Sequence, residues 1–125
     1  MLGDGEKEAV DKYTMFNEWC RKEGVISPKL EFPAYFEDGL LGARCTEDIQ
    51  HREVYLYVPY KMLLSVKDTH SHPVLGKIVA AHPRYFSDRG RESWEQLTLA
   101  LRLLYEITLG KASYWYPYIR LMPDV

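Results

Sequence analysis

The sequence predicts an α+β fold, with a small, twisted, mainly antiparallel sheet flanked by helices. Three observations point to it. Between Leu30 and Val58, apolar residues come in short alternating runs broken by turn residues, the period-two pattern of strands. On either side, at Glu6–Glu23 and again from Ser93 to Leu109, they recur at intervals of three and four, as on amphipathic helices. Gly24, Gly39, Pro59, Pro83 and Gly110 stand at the borders of these stretches, where a chain reverses or stops.

Taken in order, Glu6–Glu23 reads as the first helix, with Asp4 as N-cap and Gly24 just past its end. Val10, Tyr13, Phe16 or Asn17, and Cys20 form its packed face, with Met15 and Trp19 on the adjoining stripe. Leu30–Phe36 reads as a strand, Glu37-Asp38-Gly39 as a turn, and Leu40–Cys45 as the returning strand. Gly39 is free to take positive φ, and Gly42 removes a Cβ from a strand interior, the mark of a bulge or of the close approach of another backbone or a ligand. Thr46–Gln50 predicts a second reversal and Glu53–Val58 a third strand, with Val54, Leu56 and Val58 on one face and Tyr55 and Tyr57 on the other. Pro59 ends it, having no N–H to donate.

Over Tyr60–Val66 a short helical turn followed by an extended segment is expected, then a polar loop from Lys67 to His72 and a short helix at Val74–Ala80 stopped by Pro83. The longest apolar helix follows, with Ser93 and Gln96 at capping-box spacing or Asp88 capping an earlier start, and Gly110 at its close. Its polar residues, Arg91, Glu95, Arg102 and Glu106, make only a narrow stripe, so the helix must be covered on more than one side. The tail from Tyr114 to Pro123 is too aromatic for a linker.

Composition excludes several functions. With 16 basic and 18 acidic residues, the net charge of −2 offers no phosphate-tracking surface, so no nucleic acid is expected as a partner. No apolar run reaches the ~20 residues of a membrane helix, and the first residues lack the pattern of a signal peptide. A cytoplasmic or nuclear protein is expected, with Cys20 and Cys45 as buried free thiols. His70-Ser71-His72 has no visible carboxylate or cysteine cluster near it, which argues against a metal site. Glu47, Asp48 and Glu53 read as a solvated acidic rim, and His51 and His82 as surface or cap residues.

Gly39-Leu40-Leu41-Gly42-Ala43-Arg44-Cys45, followed by Glu47-Asp48-Ile49, Glu53 and Val58-Pro59, resembles the opening of a SET-domain protein methyltransferase. The likeness is to the Rubisco-methyltransferase-like branch, which modifies lysine or histidine side chains of proteins. Further along, Trp115, Tyr118, Ile119 and Pro123 match that family's phrase of tryptophan, tyrosine-isoleucine and proline after a leucine-rich helix. The resemblance covers about Trp19 to Pro123. It implies S-adenosyl-L-methionine as cofactor, lying along Asp38, Gly39, Leu40, Leu41 and Gly42, and a protein substrate. In the family the turn usually reads Glu-Gly-aliphatic-Gly, and here one extra leucine separates the glycines.

The family's later asparagine-histidine pair and tyrosine have no counterpart, because the only asparagine is Asn17 and no histidine follows it. The resemblance therefore implies an N-terminal helix and connection (residues 1–29) and the first half of a SET domain (residues 30–125). The second half is expected elsewhere, and this chain alone is expected to be inactive. Such a piece should leave the Val54, Leu56, Val58 face and part of the long helix as an apolar surface, or bury them in a homotypic contact. Two other readings fit the same residues. One is a non-enzymatic module that seats a peptide against the aromatic tail and the Tyr55/Tyr57 face. The other is a degenerate SET relative that keeps only the scaffold.

Overall fold

The computed structural model describes residues 3–123 and shows mixed helix and sheet. It divides into two compact units, one running to Met62 and including the chain from Arg120 onward, the other spanning Leu63–Ile119.

The first unit opens with α1, Asp4–Glu23. Gly3 is the N-cap; the Glu6 carboxylate reaches back to accept from its N–H at 2.9 Å, and Asp4 lies in the first turn instead of capping it. Gly24 ends the helix in the left-handed region at φ 106°, with Val25 N–H bonded to Cys20 O at 2.9 Å and Gly24 N–H to Arg21 O at 3.3 Å. That pair of bonds is a Schellman closure, and it needs a residue without a Cβ penalty. The Val10 side chain, expected on the packed face, lies outside the described residues.

Strands β1, Leu30–Tyr35, and β2, Leu41–Cys45, pair antiparallel. The register runs from Leu30 opposite Cys45 to Tyr35 opposite Leu41, with one extra β1 residue between Glu31 and Ala34. That bulge carries Pro33, which has no N–H for the ladder and follows a cis peptide bond. Helix α1 is anchored at the same place: Asn17 Nδ2 donates to Phe32 O at 2.8 Å, and the rings of Tyr13 and Phe16 meet Phe32 edge-on at 5.6 and 5.7 Å. Each such ring pair contributes about 0.5–1.5 kcal/mol beyond its buried area. Ala34 is buried here, as is Met62.

The third expected strand does not form. Of Glu53–Val58, only Tyr57 pairs, exchanging both backbone bonds with Ile26 in an isolated antiparallel bridge. The β-branched and aromatic residues favour extension, but the bridge is the sole backbone pairing offered to them among the described residues. Val54, Leu56 and Val58 are exposed, so the apolar surface expected there is present.

Glu53 remains half-exposed but is paired. Lys29 Nζ lies 2.7 Å from its Oε1, and its Oε2 accepts from Gln50 N–H at 2.7 Å, closing the 50–53 turn. Lys29 also donates to Asp48 O at 2.9 Å. The Lys29 hydrogen bond, and after it the Gln50 N–H, hold the Glu53 carboxyl below its ordinary range. The sign follows from linkage: the contribution is full above the unfolded carboxylate pKa and is lost as pH falls through the depressed native value. Replacing Lys29→Met should therefore move the Glu53 titration midpoint upward in a carboxyl NMR titration. An unmoved midpoint would show that lysine is not the cause.

The second unit is helical: α2 Val66–His70, α3 Leu75–Ala81, α4 Pro83–Phe86, α5 Trp94–Leu109 and α6 Tyr116–Ile119. Helix α2 replaces the expected polar loop. Ser65 Oγ accepts from Asp68 N–H at 3.1 Å, and Thr69, fully buried, donates to Ser65 O at 2.7 Å. His72 Nδ1 accepts the N–H groups of Val74 and Leu75, both at 3.1 Å, so it is the acceptor at the start of α3. Pro83 starts α4 as well as stopping α3.

Helix α5 reverses the expected burial. Arg102 and Glu106, assigned to a polar stripe, are buried, while Leu99, Leu104, Ile107 and Leu109 are exposed. Arg102 Nε bonds Glu106 Oε1 at 3.1 Å, Ser113 Oγ donates to Glu106 Oε2 at 2.6 Å, and the Arg102 guanidinium lies 5.3 Å from the Trp115 ring. Ser113 Oγ accepts Trp115 N–H at 3.1 Å, which joins the aromatic tail to the same network.

Candidate functional site

The turn between β1 and β2 is where the bare backbone gathers. It starts with Phe36, whose N–H donates to Leu40 O at 2.8 Å while its own carbonyl accepts from Gly39 N–H at 3.1 Å. Those two bonds hold a single 3₁₀ turn, Glu37–Gly39. Asp38 and Gly39 both sit in the left-handed region, at φ 69° and 75°. The positive φ at Gly39 was legible from the glycine; that of Asp38 had a weaker signal, since Asp tolerates αL better than most residues.

The two glycines differ in what surrounds them. Nothing lies within 4 Å of where a Gly39 Cβ would stand, so its backbone faces open space. At Gly42 the Phe36 ring fills the gap, with Cε2 3.2 Å from the Cβ position. The bulge is in β1, where Phe32 and Pro33 face Ala43, and not at Gly42, which pairs with Ala34; the close approach at Gly42 is made by a ring of the chain itself. Leu40 and Leu41 are exposed, as is Asp38. The Arg44 guanidinium lies 5.9 Å from the Phe36 ring and bonds Glu31 Oε2 at 3.0 Å across the strands.

This geometry separates the glycines by stability. Gly39→Ala must hold a Cβ in the left-handed region and should cost about 1–2 kcal/mol. Gly42→Ala needs only a small shift of the half-exposed Phe36, and should stay within about 0.5 kcal/mol of the parent. Urea unfolding of the two variants checks this, and equal losses would refute it.

Asn17, the only asparagine, is spent on the Phe32 carbonyl. Cys20 is half-buried, and burial pushes its thiol pKa up; Cys45, expected inside, is exposed at the end of β2. Its side chain falls there because Cys45 pairs with Leu30 at the open end of a two-stranded ribbon. His70 lies against Trp94 at 6.1 Å and His72 against Tyr105 at 5.0 Å. Among the described residues no three His, Cys, Asp or Glu side chains are grouped to hold a metal ion. No helix among them is long and apolar enough to cross a membrane.

With the turn in place, sequence comparison adds the decisive likeness. Over 121 residues, 97% of this chain, it is 33% identical to the actin-histidine N-methyltransferase of Xenopus tropicalis. In sequence the chain is similar to actin-histidine N-methyltransferases. The human protein of that name is 32% identical over 97% of the chain, and that of Dasypus novemcinctus 32% over 98%. The chain spans about a fifth of the length of these curated relatives, 19% of the Xenopus tropicalis actin-histidine N-methyltransferase. No family model matches it.

Proposed function

We propose that this chain is part of a protein-histidine N-methyltransferase of the SET type that uses S-adenosyl-L-methionine. The observation that carries the reading is the 33% identity over 97% of the chain to an actin-histidine N-methyltransferase. It favours histidine over lysine as the target, and a folded protein, actin or one like it, as the substrate. Residues 30–125 are then the first half of the SET domain, and the chain alone is inactive.

The turn fits what the cofactor asks of it. A ligand with a zwitterionic amino-acid end and an adenine is held well by backbone that side chains do not shield, and Gly39 offers such a stretch. In this reading Asp38, Gly39, Leu40 and Leu41 lie along the cofactor with Gly42 at the far end, where Phe36 closes the surface behind it. The cofactor supplies an activated methyl group on sulfonium. What these residues do is orient it: in-line displacement depends on the alignment of donor and nitrogen, and a turn fixed by the two Phe36 bonds adds rigidity to that alignment.

Calorimetric titration of the protein translated from the complete reading frame with S-adenosyl-L-methionine tests the reading. Saturable binding is expected, weakened in a Gly39→Val variant that remains folded. Absence of binding by the parent protein overturns it.

A further inference from the structure

We propose that His72 makes the start of α3 a pH-sensitive latch: the neutral imidazole caps the helix, and a proton on its Nδ1 releases it. The proposal does not rest on the methyltransferase reading. It joins three observations.

First, His72 acts as the helix cap. Its Nδ1 accepts the N–H groups of Val74 and Leu75, both at 3.1 Å, and its carbonyl accepts Gly76 N–H at 2.9 Å. A side chain that accepts from the second and third residues on, while its own carbonyl takes the first helical bond, is working as an N-cap. Val74, just before α3, already has helical backbone angles, φ −95° and ψ −55°. Pro73 falls between them, at the first helical position, where a missing N–H leaves no bond unmade.

Second, only the uncharged ring can do this. Serine, threonine and asparagine, the usual caps, keep their acceptor at any pH. An imidazole accepts only at a nitrogen without a proton, so here Nε2 must carry the hydrogen. A proton on Nδ1 turns the acceptor into a donor aimed at two N–H groups, and it adds positive charge at the positive end of the helix dipole. Both effects oppose the cap. Histidine is the side chain that ordinarily changes charge between about pH 5 and 8, so the event lies within a physiological range. Among the described residues His72 makes no ion pair that would hold the charged form in place. The titratable group facing it from α5 is Tyr105, with ring centroids 5.0 Å apart, while Arg102 and Glu106 on that helix pair with each other. Helix α2 carries Lys67, Asp68 and His70, and α3 carries Lys77; none of them bonds the imidazole, and His70 lies against Trp94.

Third, the latch holds something. Helix α3 buries Leu75 and Val79. It lies so close to α2 that a Cβ at Gly76 would stand 2.6 Å from the His70 carbonyl oxygen. His72 N–H donates to Thr69 O at 3.2 Å, so one residue closes α2 and opens α3. Loss of the two side-chain bonds leaves the Val74 and Leu75 N–H groups without an acceptor at the point where α3 enters the core. The first turn of α3 then frays, and the corner between the two helices loosens.

Amide exchange of the full chain, read as protection relative to the unfolded chain at each pH, tests this. Between about pH 8 and 5, protection along α3 is expected to fall roughly tenfold, from the lost cap and the adverse charge together. His72→Asn keeps a cap acceptor that does not titrate, and should make α3 protection independent of pH. His72→Phe keeps a ring against Tyr105 but has no acceptor, and should show at the upper end of the range the loss that the parent shows only at the lower end. His70→Gln should leave the parent's pH dependence intact. One readout needs no variant: nitrogen NMR of the parent at the upper end of the range should show His72 with Nδ1 bare and Nε2 protonated. A protonated Nδ1 there overturns the proposal. So does α3 protection that is flat with pH in the parent, or a pH dependence that survives in His72→Asn or vanishes in His70→Gln.

Discussion

Replacing Glu106→Ala is expected to cost about 3–5 kcal/mol of stability, the range for breaking a buried ion pair from one side. Its carboxylate is the only anion bonded to Arg102 among the described residues, and it also accepts from Ser113 Oγ at 2.6 Å. Without it the guanidinium stays buried against the Trp115 ring with no counter-charge, and the Ser113 hydroxyl loses its acceptor. The loss is therefore mostly the desolvation cost of the stranded partner, not the worth of the pair. An Arg102→Met, Glu106→Leu double variant removes both charges and should recover most of the stability. Urea unfolding, with amide exchange along α5, reads the effect; a single-variant loss under about 1 kcal/mol would mean the cation is solvated.

Gly90→Ala is the second large effect. A Cβ at Gly90 would land on the Arg84 carbonyl oxygen, which already accepts Arg91 N–H at 3.1 Å, while Gly90 N–H bonds Ser87 O at 3.0 Å. The obstacle is backbone held at both ends, so it cannot step aside as a side-chain tip can. A loss of about 2–3 kcal/mol is expected, the upper part of the overpacking range. Thermal unfolding should show it, and a variant within about 0.5 kcal/mol of the parent would place the loop further from α4 than the structure does.

Local signals were the legible part of this chain. Gly24 and Gly39 reported positive φ because only glycine adopts it without strain, and both strands of the ribbon followed from alternation and a turn between them. Ser65 and Asp68 stand at the spacing of an N-terminal cap, so helix α2 was readable in principle but masked by the polar residues that followed. The third strand failed for another reason: propensity decides extension, whereas pairing needs a neighbour, and among the described residues Val54–Val58 has a backbone bridge to Ile26 alone. Helix α5 failed on chemistry. A periodicity argument sends charge to water, and it cannot see that Arg102, Glu106, Ser113 and Trp115 satisfy one another. At the turn, sequence pointed to five residues, while the filling of Gly42 by Phe36 depends on ring placement that no spacing encodes.

Methyl transfer to a named side chain tests the functional reading most directly. The protein translated from the complete reading frame, given S-adenosyl-L-methionine labelled in its methyl group and purified actin, should place label on a histidine of actin, as located by peptide mass spectrometry. The 125-residue chain alone should place none. A longer protein that neither binds the donor nor labels any protein histidine would contradict the account, and would leave the β1–β2 turn as scaffold.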